Sequence, residues 1–212
     1  MSILNQISEA TQAGKKNDVE QLVQQAIGEG IPAQEILDGG LIAGMGIIGD
    51  KFSINEVFVP EMLMAARAMT AGTTLLRPLL TQEGVAAKGK AVISTVKGDV
   101  HDIGKNLVRM MLEGKGIDVV DLGVDTYPDD IVNYVKEHED LQLVCLSSLL
   151  TTSMAALEET VRKITDEGLR GRVKILIGGA PITQEFADRI GADGYAPDAA
   201  SGAVRAMELL AS

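Results

Sequence analysis

A histidine stands between two aspartates in the stretch KGDVHDIGKNLV, residues 97–108. Asp99 lies two residues before His101, and Asp102 follows it directly. A histidine that binds a metal through one ring nitrogen usually donates its other ring N–H to a carboxylate or a carbonyl, which fixes the tautomer and the ring orientation. The pattern is therefore typical either of an imidazole metal ligand or of a helix-start histidine that is hydrogen-bonded to its neighbour.

The sequence offers no companion ligands for a metal at this position. The second histidine, His138, lies in the charged stretch KEHED and is expected to be a solvent-exposed residue at a helix end. The single cysteine, Cys145, lies in an apolar run and is expected to be a buried thiol. Zinc sites need three or four protein ligands. One histidine therefore suffices only for a metal that arrives with its other ligands, as in a macrocyclic cofactor.

The elements around His101 alternate between short apolar runs and amphipathic segments. Four runs are predicted to be strands, at residues 90–96, 117–123, 142–148 and 173–179. Helical patterns lie between or after them, at residues 104–115, 128–138, 153–167 and 183–190. A short strand near Gly194–Tyr195 and a last helix at residues 199–210 complete the pattern. This alternation predicts an α/β domain with a doubly wound parallel sheet of flavodoxin-like (Rossmann-type) topology.

Three loops of this sheet are suited to a ligand, because ligands of such sheets bind at the carboxyl ends of the strands. The first loop carries His101. The second, SSLLTTS at residues 147–153, is rich in hydroxyls, and the third, GGAP at residues 178–181, permits close backbone approach. Each loop alone is also compatible with a helix start, a helix cap or a tight turn. Together they predict a deep, narrow slot at one edge of the sheet.

The first part of the chain has helical spacing throughout. Residues 1–83 are predicted to form four helices and no strand, as a small helical bundle does. Residues 84–89, GVAAKG, are small and have a glycine at each end, which predicts a linker and a candidate hinge. Residues 90–212 then form the α/β domain.

Composition and charge exclude several classes of function. The net charge is −11, so the basic footprint of nucleic-acid binding is missing, and an acidic surface argues against anionic membranes. Aromatic residues make up 3% of the chain, which leaves few platforms for stacking bases. No apolar run reaches membrane-spanning length, and the N-terminus lacks a signal-peptide pattern. We expect a cytoplasmic protein without nucleic-acid or membrane partners.

Two familiar motifs are rejected. Gly44-Met-Gly46-Ile-Ile-Gly49 matches GxGxxG, but the dinucleotide fingerprint requires a preceding strand, and this stretch lies in the helical part. It is expected to be chance or close helix packing. A response-regulator function shares the sheet topology but needs a phosphoacceptor aspartate at the end of the third strand, where this chain has Ser147 and Ser148.

Three short motifs resemble, in order and spacing, those of cobalamin-binding domains. Asp99-Val-His101-Asp102-Ile103-Gly104 matches the DxHxxG signature of that family, Ser147-Ser-Leu149 its SxL element and Gly178-Gly179 its GG element. The helical N-terminal part resembles the four-helix cap of these modules. The likeness covers essentially the whole chain. It is closest to the corrinoid proteins of methylamine, methanol and betaine methyltransferase systems and to the cobalamin module of methionine synthase.

The resemblance implies a role for each of these positions. His101 would replace the cofactor's own benzimidazole as the lower axial ligand of cobalt, Asp99 would hydrogen-bond its far nitrogen, and Ser153 would extend this relay. The displaced nucleotide tail would fill the slot. The residues expected to line or close it are Ser147, Leu149, Thr151, Gly178, Gly179, Tyr195, Ala196 and Asp198. Those expected beside the corrin or in the turn are Asp102, Ile103 and Gly104.

On the same resemblance, the helix that begins after FVP covers the upper, methyl-bearing face of the corrin. The residues concerned are Phe58, Val59, Pro60, Met62, Ala65, Ala66 and Met69. Methionines at helical spacing are otherwise typical of a bundle core, so Met62, Met64 and Met69 are divided between the two interpretations.

The function implied is that of a methyl carrier. In the family, cobalamin takes up a methyl group as methylcobalamin and passes it on. His101 would leave the cobalt on reduction, helped by a proton taken up by the Asp99–His101–Ser153 relay. The sequence shows no substrate barrel, no zinc–thiolate site and no reductase. We therefore expect a non-catalytic subunit that works with a barrel-type substrate-specific methyltransferase, a second methyltransferase and a reactivating reductase, with a methylated amine as donor.

Other functions share these motifs. A cobalamin-dependent regulator or light sensor would add a DNA-reading domain, and a carbon-skeleton mutase module would need a radical-chemistry barrel as its partner. The helical cap favours methyl transfer. A flavodoxin-like domain without a cofactor is disfavoured by the intact Asp99, His101 and Gly104. The motifs leave open the donor, the final acceptor, the oligomeric state and the lower base of the cofactor.

Overall fold

The computed structural model describes residues 2–82 and 87–212 and divides into two compact units. One unit contains the chain up to Lys88 together with Glu113–Gly116, and the other contains Gly89–Leu112 and Ile117–Ser212. Residues 84–86 of the predicted linker lie outside the described residues. The domain limits and the hinge therefore stay predictions.

The N-terminal unit is helical over most of its length. Its elements are α1 (Ile3–Gln12), α2 (Lys16–Gly28), α3 (Ala33–Ile36), a π-helical segment (Leu37–Ile42), α4 (Ala43–Ser53) and α5 (Val59–Gln82). Because α3, the π-helical segment and α4 follow one another without a break, they form one long helical stretch. Within residues 2–82, the unit therefore has the four helical stretches that the sequence predicts.

Glycines allow helix α1 to approach the π-helical segment and α4 closely. A Cβ on Gly40 would lie 2.8 Å from Cγ2 of Ile7, and a Cβ on Gly44 would lie 2.6 Å from the carbonyl oxygen of Ser8. Both distances are shorter than any stable carbon contact, so these two positions require glycine. The GxGxxG stretch lies within α4, and its first glycine serves close helix packing.

The C-terminal unit is a five-stranded parallel sheet with helices between the strands. Its strands are β1 (Lys90–Thr95), β2 (Asp118–Asp121), β3 (Leu143–Ser147), β4 (Lys174–Gly178) and β5 (Gly194–Ala196), in the order β2-β1-β3-β4-β5. Its helices are α6 (Ile103–Glu113), α7 (Pro128–Glu137), α8 (Met154–Asp166), α9 (Gln184–Ile190) and α10 (Ala199–Leu210). The predicted flavodoxin-like fold class is confirmed.

The strand order decides where a ligand can bind. The chain leaves β1 on one side to form β2 and returns on the other side to form β3, so the crevice of this sheet opens between β1 and β3. Strands β1, β3 and β4 are buried along nearly their whole length, with Val92, Leu143 and Ile175 at most 1% exposed, whereas the edge strand β2 is partly exposed. A sheet covered on both faces is rigid, and it holds the loops after β1 and β3 in register.

In the described ranges, no helix combines the length and the apolar character that crossing a membrane requires.

Candidate cofactor-binding site

The loops that follow β1 and β3 meet at the buried carboxylate of Asp99. One oxygen, Oδ1, accepts hydrogen bonds from the backbone N–H of His101 at 3.0 Å and from Nδ1 of its ring at 2.7 Å. The other, Oδ2, accepts from the backbone N–H of Leu149 at 2.6 Å and of Leu150 at 3.2 Å. Asp99 is completely buried. It therefore joins the histidine loop to the loop after β3.

The pKa of Asp99 is low although the residue is buried. Burial by itself raises the pKa of a carboxyl group, because it disfavours the charged form. The hydrogen bonds from His101, Leu149 and Leu150 stabilise the carboxylate more strongly and lower the pKa of Asp99 from 3.8 to about 2. The group is thus ionised near neutral pH, and it accepts a hydrogen bond from each of these donors.

The imidazole of His101 is held at one nitrogen and exposed at the other. Because the Asp99 carboxylate only accepts hydrogen bonds, neutral His101 carries its proton on Nδ1. Nε2 is then an unprotonated donor of an electron pair, and no hydrogen-bond partner contacts it among residues 2–82 and 87–212. The side chain is 50% exposed. This is the arrangement in which a histidine binds a metal through Nε2.

Two serine hydroxyls extend the network behind Asp99. Oγ of Ser153 lies 3.2 Å from Oδ2 of Asp99 and 2.7 Å from Oγ of Ser148. Both serines are buried, and both hydroxyls also reach the carbonyl oxygen of Leu150. The structure therefore brings Asp99, His101 and Ser153 together as the sequence predicts. Ser148, which the sequence analysis did not select, is a further member of the network.

Two more residues that the sequence analysis did not select hold the histidine loop. The hydroxyl of Thr95, at the buried end of β1, donates to the carbonyl oxygen of His101 at 2.8 Å. Asp125, in the loop after β2, donates its N–H to the carbonyl oxygen of Asp99 and accepts from the N–H of Gly98. The only sequence signal for either residue was its place at the carboxyl end of a predicted strand.

The helix that follows the histidine loop is held by a buried ion pair. Lys105 in the first turns of α6 is 3% exposed and pairs with Asp121 at the end of β2. The other carboxylate oxygen of Asp121 accepts from the N–H of Gly123 at 2.9 Å. The start of α6 is thereby fixed to the edge strand, which limits how far the histidine loop can move.

The glycines predicted to line the slot lie beside the loop after β3. Gly178 pairs with Ser147 across the sheet, and the N–H of Ser148 donates to the carbonyl oxygen of Gly178 at 3.1 Å. Gly179 has a φ of +130°, and a Cβ there would collide with the carbonyl oxygen of Ser148. Gly179 is therefore required by the approach of the two loops. Its contact with a cofactor stays a prediction.

Exposed apolar side chains lie on the two loops that meet at Asp99. Val100 is 70% exposed, Ile103 74% and Leu149 42%. Of the other predicted residues here, Thr151 is exposed, and the exposed Asp102 accepts from the side chain of Asn106 at 3.1 Å. Gly104 has open space where a Cβ would project. Exposed apolar side chains around a polar centre are typical of a surface that a ligand covers.

The residues predicted to close the slot lie at the far edge of the sheet. Ala196 at the end of β5 pairs with Gly178, and Tyr195 pairs with Ile177. Asp198 caps helix α10, because its carboxylate accepts from the N–H and the hydroxyl of Ser201, each at 2.8 Å. The cap explains the presence of Asp198 without a ligand.

The predicted cap residues belong to the N-terminal unit, at and after the start of α5. Phe58 is 62% exposed, and Val59 is half-buried. Met62 and Met69 are buried, whereas Met64 is 51% exposed. The contact of Phe58, Val59, Met62 and Met69 with the upper face of a corrin stays a prediction.

Within the described part of the chain, no three His, Cys, Asp or Glu side chains are grouped so that they could hold a metal ion. Cys145 is buried, and burial raises the pKa of its thiol to about 12. The thiol therefore stays protonated and does not act as a nucleophile.

Comparison with known proteins gives the same family for both parts of the chain. Models of the B12 binding domain match residues 89–204 and residues 3–77. A dimethylamine corrinoid protein of Methanosarcina acetivorans is 40% identical over 208 residues, which are 98% of this chain and 97% of the relative.

Two solved structures are similar over nearly the whole chain. A chain of the methanol:cobalamin methyltransferase complex from Methanosarcina barkeri is 29% identical with a TM-score of 0.88, over 99% of this chain and 80% of that chain. A cobalamin-binding protein from Desulfitobacterium hafniense DCB-2 is 32% identical with a TM-score of 0.79, over 97% of this chain and 98% of that one.

Proposed function

This chain belongs to the family of B12-binding corrinoid proteins, and we propose that His101 is the residue through which it binds the cobalt of its cofactor. The protein is a corrinoid methyl carrier that works with methyltransferases. When bound, the corrinoid supplies a cobalt centre that takes up a methyl group from one partner and gives it to the next. Membership of this family favours a methyl carrier over a regulatory or mutase module.

The residues around His101 fit a corrinoid. A metal that arrives within a macrocycle would need a single protein ligand, and His101, with a side chain that is 50% exposed, has no partner for Nε2 in the described residues. The apolar side chains of Val100, Ile103 and Leu149 are exposed on the same two loops, where a flat, largely apolar ring would remove them from water. The single observation that carries the proposal is the 2.7 Å contact between Nδ1 of His101 and Asp99.

Each member of the network has a distinct task in this proposal. Asp99 holds the proton on Nδ1, which keeps Nε2 free for the metal, and its negative charge makes the imidazole a stronger ligand. Ser153 donates to Oδ2 of Asp99 and so moderates that charge. A proton taken up at Nε2 would turn His101 into an imidazolium, and Asp99, 2.7 Å from Nδ1, would stabilise its charge and so favour release of the ligand bond.

The test for the ligand uses the reconstituted protein with an unlabelled corrinoid. Electron paramagnetic resonance of the Co(II) form should show hyperfine coupling to one nitrogen that changes when the protein carries ¹⁵N-histidine. A coupling that is unaffected by the label would mean that the cofactor's own base remains attached. In that case His101 is not the ligand, and the proposal is wrong.

We propose a methylated amine as the methyl donor, with dimethylamine as the first candidate. The support is the relative named for dimethylamine, which is 40% identical over 98% of this chain, against 29% for the chain from the methanol complex. The test is methylation of the corrinoid on this protein by purified amine-specific and methanol-specific methyltransferases. Faster methylation by the methanol-specific enzyme would reverse the assignment.

The finer identity of the partners is also a proposal. The single thiol of this chain is buried and protonated. We propose that the chain works with three partners: a barrel-type methyltransferase, a second methyltransferase that accepts the methyl group, and a reactivating reductase. Such a chain supplies neither a thiolate acceptor nor a redox-active thiol. A cytoplasmic location accords with this unpaired cysteine. Co-purification from the native source, followed by methyl-transfer assays on the partners, tests all three.

A further inference from the structure

Asp125 has a backbone conformation that aspartate adopts only at a cost. It lies in the loop between β2 and α7 with a φ of +53°, in the left-handed region that favours glycine. Within the described ranges, Asn55 in the N-terminal unit is the one other non-glycine residue with a positive φ. A residue kept in this region is usually held there by its surroundings, and such residues cluster at functional sites.

Asp125 forms hydrogen bonds with two neighbouring residues of the histidine loop, Gly98 and Asp99. Its N–H donates to the carbonyl oxygen of Asp99 at 2.9 Å, and its Oδ1 accepts from the N–H of Gly98 at 2.7 Å. The left-handed conformation lets one residue direct its N–H and its carboxylate to neighbouring residues of the same loop. These two hydrogen bonds fix the peptide groups on either side of the Gly98–Asp99 pair, through the N–H of Gly98 and the carbonyl oxygen of Asp99.

The sheet does not need these contacts for its own pairing. Residues Lys90–Ile93 of β1 pair with Asp118–Asp121 of β2. Beyond them, Thr95 makes two more backbone hydrogen bonds, with Gly123 and Thr126. The loop after β2 is therefore already joined to β1 on both sides of Asp125. The hydrogen bond between the Asp125 side chain and the N–H of Gly98 is not needed for this pairing, and it constrains the histidine loop.

We propose that Asp125 is a positioning residue for His101. By fixing the peptide groups before Gly98 and after Asp99, it directs the Asp99 carboxylate toward Nδ1 of His101 and so sets where Nε2 points. This inference rests on the proposed function of His101 as the cobalt ligand and deepens it, since it adds a third loop to the two that meet at Asp99.

Three substitutions separate the two properties of Asp125. Asp125→Asn keeps an acceptor oxygen and a side chain that tolerates a positive φ. Asp125→Gly keeps the conformation but removes the acceptor, and Asp125→Ala disfavours the conformation as well. Asn55→Gly is the matched control, because it relaxes a left-handed residue in the other unit.

Two readouts in the cofactor-free protein report the loop directly. Asp125→Gly should raise the hydrogen-exchange rate of the Gly98 amide about tenfold, since that N–H loses a charged acceptor. It should also shift the ¹⁵N signals of the His101 ring toward those of an imidazole that exchanges between tautomers. Asp125→Asn and Asn55→Gly should leave both signals near those of the unchanged protein, and Asp125→Ala should change them at least as much as Asp125→Gly.

The reconstituted protein provides the decisive comparison. Asp125→Gly should lower cobalamin affinity about tenfold and reduce the fraction of Co(II) centres coupled to a protein nitrogen. In Asp125→Asn, both the affinity and this fraction should return close to those of the unchanged protein. Unchanged His101 ring signals and unchanged coupling in Asp125→Gly would overturn the inference. If the unchanged protein shows no coupling to a protein nitrogen, the function of His101 is wrong. The exchange rate and ring signals of the cofactor-free variants still decide whether Asp125 positions the loop.

Discussion

The carboxylate of Asp99 is completely buried, yet it holds Nδ1 of His101 at 2.7 Å while half of the histidine side chain stays exposed. The Asp99 carboxylate is thus shielded from water, whereas the His101 side chain, which carries the free nitrogen Nε2, is not. The histidine is oriented from the protein interior, and its open nitrogen is available to a ligand that arrives from outside.

Replacement of Asp99 should be milder than replacement of His101. Asp99→Asn keeps one oxygen that can accept from Nδ1, but its amide group faces the N–H donors of Leu149 and Leu150. We expect an affinity for cobalamin about 10–100-fold lower, with the protein nitrogen still on cobalt. His101→Gly should abolish the coupling to a protein nitrogen. Titration followed by absorbance and paramagnetic resonance measures both, and equal effects of the two changes would contradict the relay.

The low pKa of Asp99 makes its contribution to stability depend on pH. The pKa of Asp99 is about 2 in the folded chain and ordinarily 3.8, so its ionised form favours folding above pH 3.8, and this contribution is lost as the pH falls through 2. The difference corresponds to about 2 kcal/mol in the free energy of unfolding.

Urea unfolding of the cofactor-free protein at a series of pH values measures this contribution. The free energy of unfolding of the unchanged protein should exceed that of Asp99→Asn near pH 5, and the gap should narrow toward pH 2. Parallel curves for the two proteins would show that Asp99 titrates normally in the folded chain.

The two buried serines should differ in their effect on the cofactor. Ser153→Ala removes a hydrogen bond to Asp99 itself, whereas Ser148→Ala removes contacts with Ser153 and with the carbonyl oxygen of Leu150 but none with Asp99. A hydrogen bond of this kind contributes about 1 kcal/mol, or a factor of about five in affinity. We therefore expect weaker cobalamin binding in Ser153→Ala and a smaller loss in Ser148→Ala.

Thr160→Val is the control for the serine variants. Its hydroxyl is buried as well, but it donates within helix α8 to the carbonyl oxygen of Ala156, so cobalamin binding should not change. If Ser148→Ala weakens cobalamin binding more than Ser153→Ala does, the proposed order of the two serines in the network is wrong.

Gly179 should be far less tolerant of a methyl group than another glycine that has a positive φ but open space around it. Gly179→Ala brings a Cβ into the carbonyl oxygen of Ser148 and also strains a φ of +130°. We expect it to lower the free energy of unfolding by at least about 3 kcal/mol. Gly168→Ala, with a φ of +72° and nothing within 4 Å of the added atom, should lose only about 1–2 kcal/mol. Denaturant unfolding of the cofactor-free variants compares them, and similar losses would mean that the two loops separate easily.

The local pattern of the sequence determined the elements and their class. The β-branched run at residues 90–96 became β1 (Lys90–Thr95), and the amphipathic segment at 199–210 became α10 (Ala199–Leu210). These predictions succeed because hydrophobic periodicity is a property of neighbouring residues. The pairing of Asp99 with His101 was also predictable, since two residues of spacing on a loop place a carboxylate within reach of an imidazole.

Only the tertiary structure decided what surrounds that pair. The partners of the second Asp99 oxygen, the N–H groups of Leu149 and Leu150, lie about 50 residues further along the chain. Ser148, Thr95 and Asp125 had no motif of their own, because their contacts arise from the order of the strands and the register of the loops. Burial of Asp99 and exposure of His101 likewise depend on which elements the sheet brings together. Those distances are set by the packing of the whole unit, which no local pattern of residues encodes.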